Sequence, residues 1–277
     1  TAIFDKVGVT KPPTLEDLLS TCGTLKAAGY TPIAFGNQYG WPAIHFMTQL
    51  NAMDVPEATR TTDYNPATGA FTDGGYTKAL EQFKQINDAC FESGSNGLSH
   101  ETAQANFLSG KAAMHFLESV EFSGLTEKGG APADLANNWD FFRLPPAGDA
   151  AGDKGALTGA PDGFMVNSAS KNAALAVDFL KFMTSKENGA TMTKDIGWLS
   201  SVQGTATAEN SFPQLETALK DISSANSFAI WLDTVTNAEV ANAYLSGVQG
   251  ILDGSQTPAD VMKGVQSAAE KAKKSVG

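Results

Sequence analysis

Phe107-Leu-Ser-Gly-Lys-Ala-Ala-Met-His-Phe-Leu-Glu-Ser-Val-Glu-Phe-Ser-Gly124 is the stretch that decides the fold class. Phe107 and Leu108 close an amphipathic turn, and Gly110 takes the positive φ that ends a helix without steric cost. Residues 112–117 are short, almost uncharged and bounded by polar residues, which predicts a strand in the middle of a sheet. Glu118 and Glu121 stand where that strand must leave its sheet. In open α/β sheets, ligands sit in the crevice outside the carboxyl ends of the strands, so Glu118 is a candidate binding carboxylate. A solvated loop glutamate is the alternative.

Upstream of that stretch, Pro12-Pro13 enforces an extended approach, and Thr14 with Asp17 approximates a capping box. Leu15, Leu18, Leu19, Cys22 and Leu25 then recur at helical spacing until Gly29, and residues 30–35 read as a short strand. That strand runs into Gly36-Asn-Gln-Tyr-Gly-Trp41-Pro, a glycine-flanked loop with two amides and two aromatics, before a helical pattern over 43–53. Residues 55–74 read as a polar surface connection. A clear amphipathic helix follows over 76–90 through Ala79, Leu80, Phe83, Ile86 and Cys90, and another over 99–108.

Downstream, residues 124–138 have linker composition. Residues 139–146 read as a strand stopped by a double proline, and 157–166 as a strand broken by glycine and proline around Asp162. Residues 172–183 form a helix with Ala173, Ala176, Val177, Leu180 and Met183 on one face. Further helices are expected over 212–222, 238–252 and 257–274. Between the first two of these, Phe228-Ala-Ile-Trp-Leu-Asp233 is an apolar segment ending in a carboxylate.

With 42% hydrophobic and 18% charged residues, the 277-residue chain is a globular α/β composition, not a disordered one. It is long enough for one large domain or two lobes. A formal net charge of −11 argues against the phosphate attraction that nucleic-acid binders use. The two cysteines, Cys22 and Cys90, form no C-x-x-C pair, and His45, His100 and His115 are scattered, so no metal ligand set is expected. The thiols are either a disulfide in an exported protein or two separate buried groups. G-x-S-x-G, H-E-x-x-H, phosphate-loop and G-x-G-x-x-G signatures are all missing from the sequence, and no cofactor is expected.

Several separated motifs carry one resemblance. F-x-x-G-x-x-A-M at 107–114, Ile3-Phe-Asp-Lys-Val-Gly-Val-Thr-Lys-Pro-Pro-Thr14, Leu25-Lys-Ala-Ala-Gly-Tyr-Thr-Pro-Ile33 and Val248-Gln-Gly-Ile-Leu-Asp-Gly-Ser-Gln-Thr-Pro258 all resemble one family. It is the extracellular solute-binding proteins of bacterial ABC transporters, in the carbohydrate-binding group that includes maltose-binding protein. Departures are local. Leu15 stands where the group commonly has Trp, Glu118-Ser-Val120 where it has Gly-x-Trp, and Ser200 where it has Pro.

The resemblance implies an α/β fold of the type II periplasmic-binding-protein class. Because the family carries the match to residues 3–14 in its interior, this chain would be a fragment: mostly the second, C-terminal lobe plus a returning segment of the first. In that scheme residues 1–120 begin the second lobe, 121–186 cross to and return through the first, and 187–277 complete the second. The implied function is to hold a sugar or oligosaccharide between lobes and deliver it to the permease subunits of an importer. Such a protein would be a non-catalytic monomer, extracellular or periplasmic, with lipid anchoring left open.

Sugar recognition needs an aromatic face for the apolar side of a pyranose and planar amides or carboxylates for its hydroxyls. Trp41, Tyr39 and Trp231 supply the faces, while Gln38, Glu118, Asp162 and Asp233 supply the polar groups; core packing of the aromatics is the alternative. Two other functions fit the same chain: a clamp for a cationic ligand such as a polyamine, or a carbohydrate-active enzyme.

Overall fold

The computed structural model describes residues 1–160 and 163–276. The chain divides into two compact units. Unit 1 comprises Thr1–Phe116, Phe142–Gly159 and Ala225–Gly277; unit 2 comprises Leu117–Phe141 and Ala160–Ser224.

Unit 1 begins with α1 (Ala2–Val7) and α2 (Leu15–Ala27). The Thr14 hydroxyl caps α2 by accepting from Asp17 N–H at 3.1 Å. β1 (Thr31–Ala34) leads through the 36–40 loop into α3 (Trp41–Asp54). Next come α4 (Glu57–Tyr64), α5 (Gly74–Cys90), α6 (His100–Leu108) and β2 (Ala112–His115). α6 is capped by Ser99, and Gly110 takes the expected positive φ, 73°.

β1 and β2 pair in parallel, with Thr31 opposite Ala112 and Ile33 opposite Met114. β2 is not the middle strand that its composition suggested. Its burial alternates along the strand, and β1 is the one with a neighbour on each side, through an Ile33–Phe91 bridge. Short and uncharged described a strand buried on one face as well as on two.

The polar segment 55–74 also holds more structure than its composition promised. α4 buries Arg60 and Asp63, not an apolar stripe. Arg60 Nε donates to Val55 O at 3.2 Å, and Asp63 Oδ1 accepts from Ala70 and Phe71 N–H at 2.8 and 3.0 Å. A pattern search keyed to apolar residues passes over a helix anchored by charge.

Unit 2 follows with a 3₁₀ turn at Ser119–Leu125 and then α7 (Ala133–Ala136), which lies inside the 124–138 segment that reads as a plain linker. The expected strand over 139–146, which runs from unit 2 into unit 1, forms no regular element and joins no ladder among the described residues. Trp139 is held by packing instead, edge-on to Phe122 at 5.2 Å and to Phe212 at 6.2 Å. The unit closes with α8 (Ala173–Met183), α9 (Lys186–Ile196) and α10 (Pro213–Ser224). α8 forms as expected, but not one of its residues is buried: Leu175, Phe179 and Phe182 are 70%, 57% and 65% exposed.

In unit 1 again, β3 (Leu157–Thr158) and β4 (Phe228–Ala229) form a second parallel pair. β3 is much shorter than the broken strand expected there. Its last ladder bond is from Gly159 N–H to Ala229 O, 3.0 Å. α11 (Leu232–Val235), α12 (Ala238–Leu252) and α13 (Pro258–Val276) complete the unit. Gly247 of α12 lies where any Cβ would collide with Val261, so the two closing helices approach at a side-chain-free point.

The core of unit 1 gathers Leu18 and Leu25 of α2, Phe46, Met47 and Leu50 of α3, Phe83 and Ile86 of α5, Tyr244 and Val248 of α12, and Val265 of α13. A disulfide between Cys22 and Cys90, Cα to Cα 5.2 Å, ties α2 to α5 inside it. At the end of α3, the Asp54 carboxylate is buried and meets Lys78 Nζ at 3.0 Å. Lys78 also bonds the exposed Asp149 at 2.7 Å.

A crosslink spanning 68 residues restricts the unfolded chain strongly. Reduction, or the Cys22→Ala/Cys90→Ala double variant, should lower unfolding free energy by about 2–4 kcal/mol in a denaturant titration. An unchanged midpoint would count against the bond's structural role.

Burial holds the Asp54 pKa above its ordinary 3.8 despite Lys78 beside it. A carboxyl raised in the folded state is most favourable to stability at low pH, and that contribution is lost as pH rises through the folded pKa. Lys78→Met removes the compensating cation. The variant should cost on the order of 2 kcal/mol at pH 7, below the value for a fully buried pair because Lys78 is partly exposed. The loss should shrink toward pH 4; a pH-independent loss in chemical denaturation would refute this account.

Candidate functional site

The 36–40 loop leaves the carboxyl end of β1 and is tied down by its backbone. Gly36 passes so close to the Ser99 carbonyl that no side chain would fit. Asn37 is fully buried and works as an internal bracket. Its N–H donates to Ser95 O at 2.8 Å, its Nδ2 to Asn96 Oδ1 at 3.1 Å, and its Oδ1 accepts from Ala43 N–H at 3.0 Å. Gln38 N–H donates to Leu98 O at 3.0 Å. With the backbone fixed in this way, the Gln38 and Tyr39 side chains are left exposed.

The Tyr39 hydroxyl lies 3.2 Å from Glu101 Oε2. Its bond to that carboxylate raises the phenol pKa, and the Glu101 carboxyl lies below its ordinary range, mainly through its own backbone N–H. Gly40, at φ 79°, turns the chain into α3, with Trp41 and Pro42 as the first helical residues.

Trp41 is half-buried. Its indole leans on His45, one helical turn later, at 5.1 Å between centroids, and on His100 of α6 at 4.7 Å. His45 in turn lies flat against Trp231, with centroids 3.7 Å apart and planes 5° from parallel. His100 faces His115 at 4.8 Å, and His115 Nδ1 is 3.0 Å from Ala34 O.

Trp231 caps α11, and the next residue docks on α3 as well: Leu232 N–H donates to Thr48 Oγ1 at 3.0 Å. Thr48 and His45 are three residues apart and share one face of α3. Gln49 secures the neighbouring strand, donating from Nε2 to Ala156 O at 2.9 Å and accepting from Thr158 Oγ1 at 3.1 Å.

The structure therefore gathers Trp41 and Trp231 into one run of rings, beside the loop that carries Gln38 and Tyr39. Asp233 sits two residues past Trp231 in the first turn of α11, half-buried, with Oδ1 out of solvent and no hydrogen-bond partner among the described residues. Glu118 belongs to unit 2, where its N–H donates to Glu121 Oε2 at 2.9 Å at the start of the 3₁₀ turn. Asp162 lies outside the described residues.

The three histidines, scattered in sequence, fall in one line of aromatic contacts in space. Among the described residues no group of three or more His, Cys, Asp or Glu could hold a metal ion. Sequence reasoning overlooked His45 and His100. The one available signal was the four-residue step from Trp41 to His45, which places both on the same face of α3.

Among solved structures, the fold resembles a chitin oligosaccharide binding protein, with TM-score 0.84 and 24% identity over 99% of this chain and 68% of that one. It is similar to a structure from work on xylan utilization by the thermophilic bacterium Caldanaerobius polysaccharolyticus, with TM-score 0.83 and 21% identity over 100% and 69%. It is also similar to the bacterial solute receptor AcbH, reported to prefer b-D-galactopyranose, with TM-score 0.83 and 23% identity over 99% and 68%. The chain spans about two thirds of the length of each of these. A search of curated proteins by sequence finds no match. The fold is of the type II periplasmic-binding-protein class, and among the described residues no helix is long and apolar enough to cross a membrane. Residues 1–190 match the model of one family, and on that match the chain belongs to the bacterial extracellular solute-binding proteins.

Proposed function

We propose that this protein is the receptor of an ABC importer for a neutral sugar or oligosaccharide, binding its ligand on the Trp41–Trp231 surface and handing it to the permease outside the cell. The observation that carries this reading is the pair of half-buried tryptophans set in one run of rings beside a rigid, amide-bearing loop at the carboxyl end of β1. Aromatic faces cover the apolar C–H side of a pyranose, and amides and carboxylates bond its hydroxyls. Gln38, Tyr39, Asp233, Glu118 and Asp162 are the polar partners in this reading. The similar structures support it, since their own descriptions concern chitin oligosaccharide, xylan and galactopyranose.

The protein grips and does not react. In the full-length molecule the ligand sits between two lobes, and its preference for the closed arrangement shifts the equilibrium toward it. Residues 1–120 and 187–277 are assigned to one lobe and 121–186 to the crossover and return through the other, as the family resemblance implies. In this reading the exposed apolar surface of α8, Leu175, Phe179 and Phe182 included, is where the remaining third of the similar structures' length would pack.

Calorimetric titration of the full-length protein against mono- and oligosaccharides tests the reading. Trp231→Ala should weaken the best ligand by more than about tenfold. Raising the salt concentration should leave the affinity almost unchanged, whereas a cationic ligand held by the acidic residues would lose affinity. A folded variant with an unaltered isotherm removes Trp231 from the site, and conversion of any glycan to product would favour an enzyme instead.

The assignment of α8 has its own readout. The 277-residue chain should bind an apolar dye such as ANS strongly, and a chain extended to the length of the similar structures should bind much less. Equal dye binding by the two would show that the helix face stays open.

A further inference from the structure

We infer that His45 is the positioning residue for Trp231: it covers one face of the indole and leaves only the opposite face for a ligand. This rests on the proposed carbohydrate reading for its functional consequence, but its structural content stands on contacts within unit 1.

Two contacts from α3 fix this segment, one on the Trp231 ring and one on the backbone of the next residue. His45 lies flat on the indole at 3.7 Å between centroids and 5° between planes. Leu232 N–H is held by Thr48 Oγ1 at 3.0 Å on the same face of the helix, so backbone and ring are pinned side by side.

An indole has two equivalent faces, and a pyranose stacks on one. With the first face closed by imidazole, the ligand meets a plate of fixed tilt instead of a ring turning about its side-chain bonds, so less rotamer freedom is lost on binding. His45 is suited to this task because α3 buries every residue except Trp41 and His45, which makes its backbone a rigid mount. Trp41, on the other side of His45 at 5.1 Å and 48°, keeps the imidazole from swinging away. The assembly is therefore single-faced: Trp231 takes one sugar ring on its outer side and cannot sandwich a ligand against Trp41, because His45 fills the space between the two indoles.

The test replaces the flat ring and measures the indole with and without sugar. His45→Leu keeps apolar bulk but loses the plane, while His45→Phe keeps the plane. Trp231→Phe provides the difference spectrum that isolates the Trp231 signal. Without ligand, His45→Leu should open Trp231 to quenching by acrylamide and diminish its near-ultraviolet circular dichroism, and His45→Phe should retain both. With the best sugar, His45→Leu should lose about two- to tenfold in affinity, with His45→Phe close to the parent protein.

Parental quenching and dichroism in a folded His45→Leu would overturn the inference, as would His45→Phe losing as much as His45→Leu. If Trp231→Ala abolishes sugar binding while both His45 variants bind normally, the inference fails and the proposed function stands. If no sugar binds the parent protein, the proposed function fails, and the ligand-free indole measurements still decide the role of His45.

Discussion

The burial of α3 is the constraint on which the rest of unit 1 depends. Twelve of its fourteen residues are buried, including the polar Thr48, Gln49, Asn51 and Asp54. A helix enclosed all round cannot send polar side chains to water, so each must be met by another part of the fold or carry a desolvation cost. Thr48 receives the backbone of α11, Gln49 fastens β3, and Asp54 is answered by Lys78. The helix thus works as a socket strip for segments far away in sequence; Thr48 and Leu232 are 184 residues apart. Its two unburied positions, Trp41 and His45, are the ones that form the candidate site.

That arrangement explains what could be read in advance. α2, α5, α12 and α13 have a one-sided apolar period and recognisable caps, and they form close to where the pattern put them. Trp41 and Tyr39 stood out because a glycine-flanked loop after a strand offers aromatic faces and amides together, although core packing was as good a reading of the same residues. His45 did not, since a single histidine inside a helix carries no pattern. Its importance comes from a ring that reaches it from the other end of the chain. Strand lengths were overestimated for a related reason. Residues 139–146 have strand composition, but a strand exists only where a partner completes its hydrogen bonds, and partners are not written locally.

Unit 2 shows the complementary case. α8 was legible as a helix, but the face read for it, Ala173, Ala176, Val177, Leu180 and Met183, is not the one that carries its most exposed large side chains: Leu175, Phe179 and Phe182 lie on the other side. Periodicity says only that a surface wants cover, not what supplies it. Within the unit, Phe122 and Phe212 each pack edge-on to Trp139, while no residue of α8 is buried.

The cross-link between Cys22 and Cys90 bears on how such a molecule is made. Extracellular proteins meet an oxidising environment, and both thiols lie in the first third of this chain. They are therefore available to pair before α12 and α13 have been synthesised and exported, although those helices fill the same core. The bond can be closed around α2 and α5 while α12 and α13 are still to arrive, so that these two helices dock onto a partly stapled template rather than a free coil.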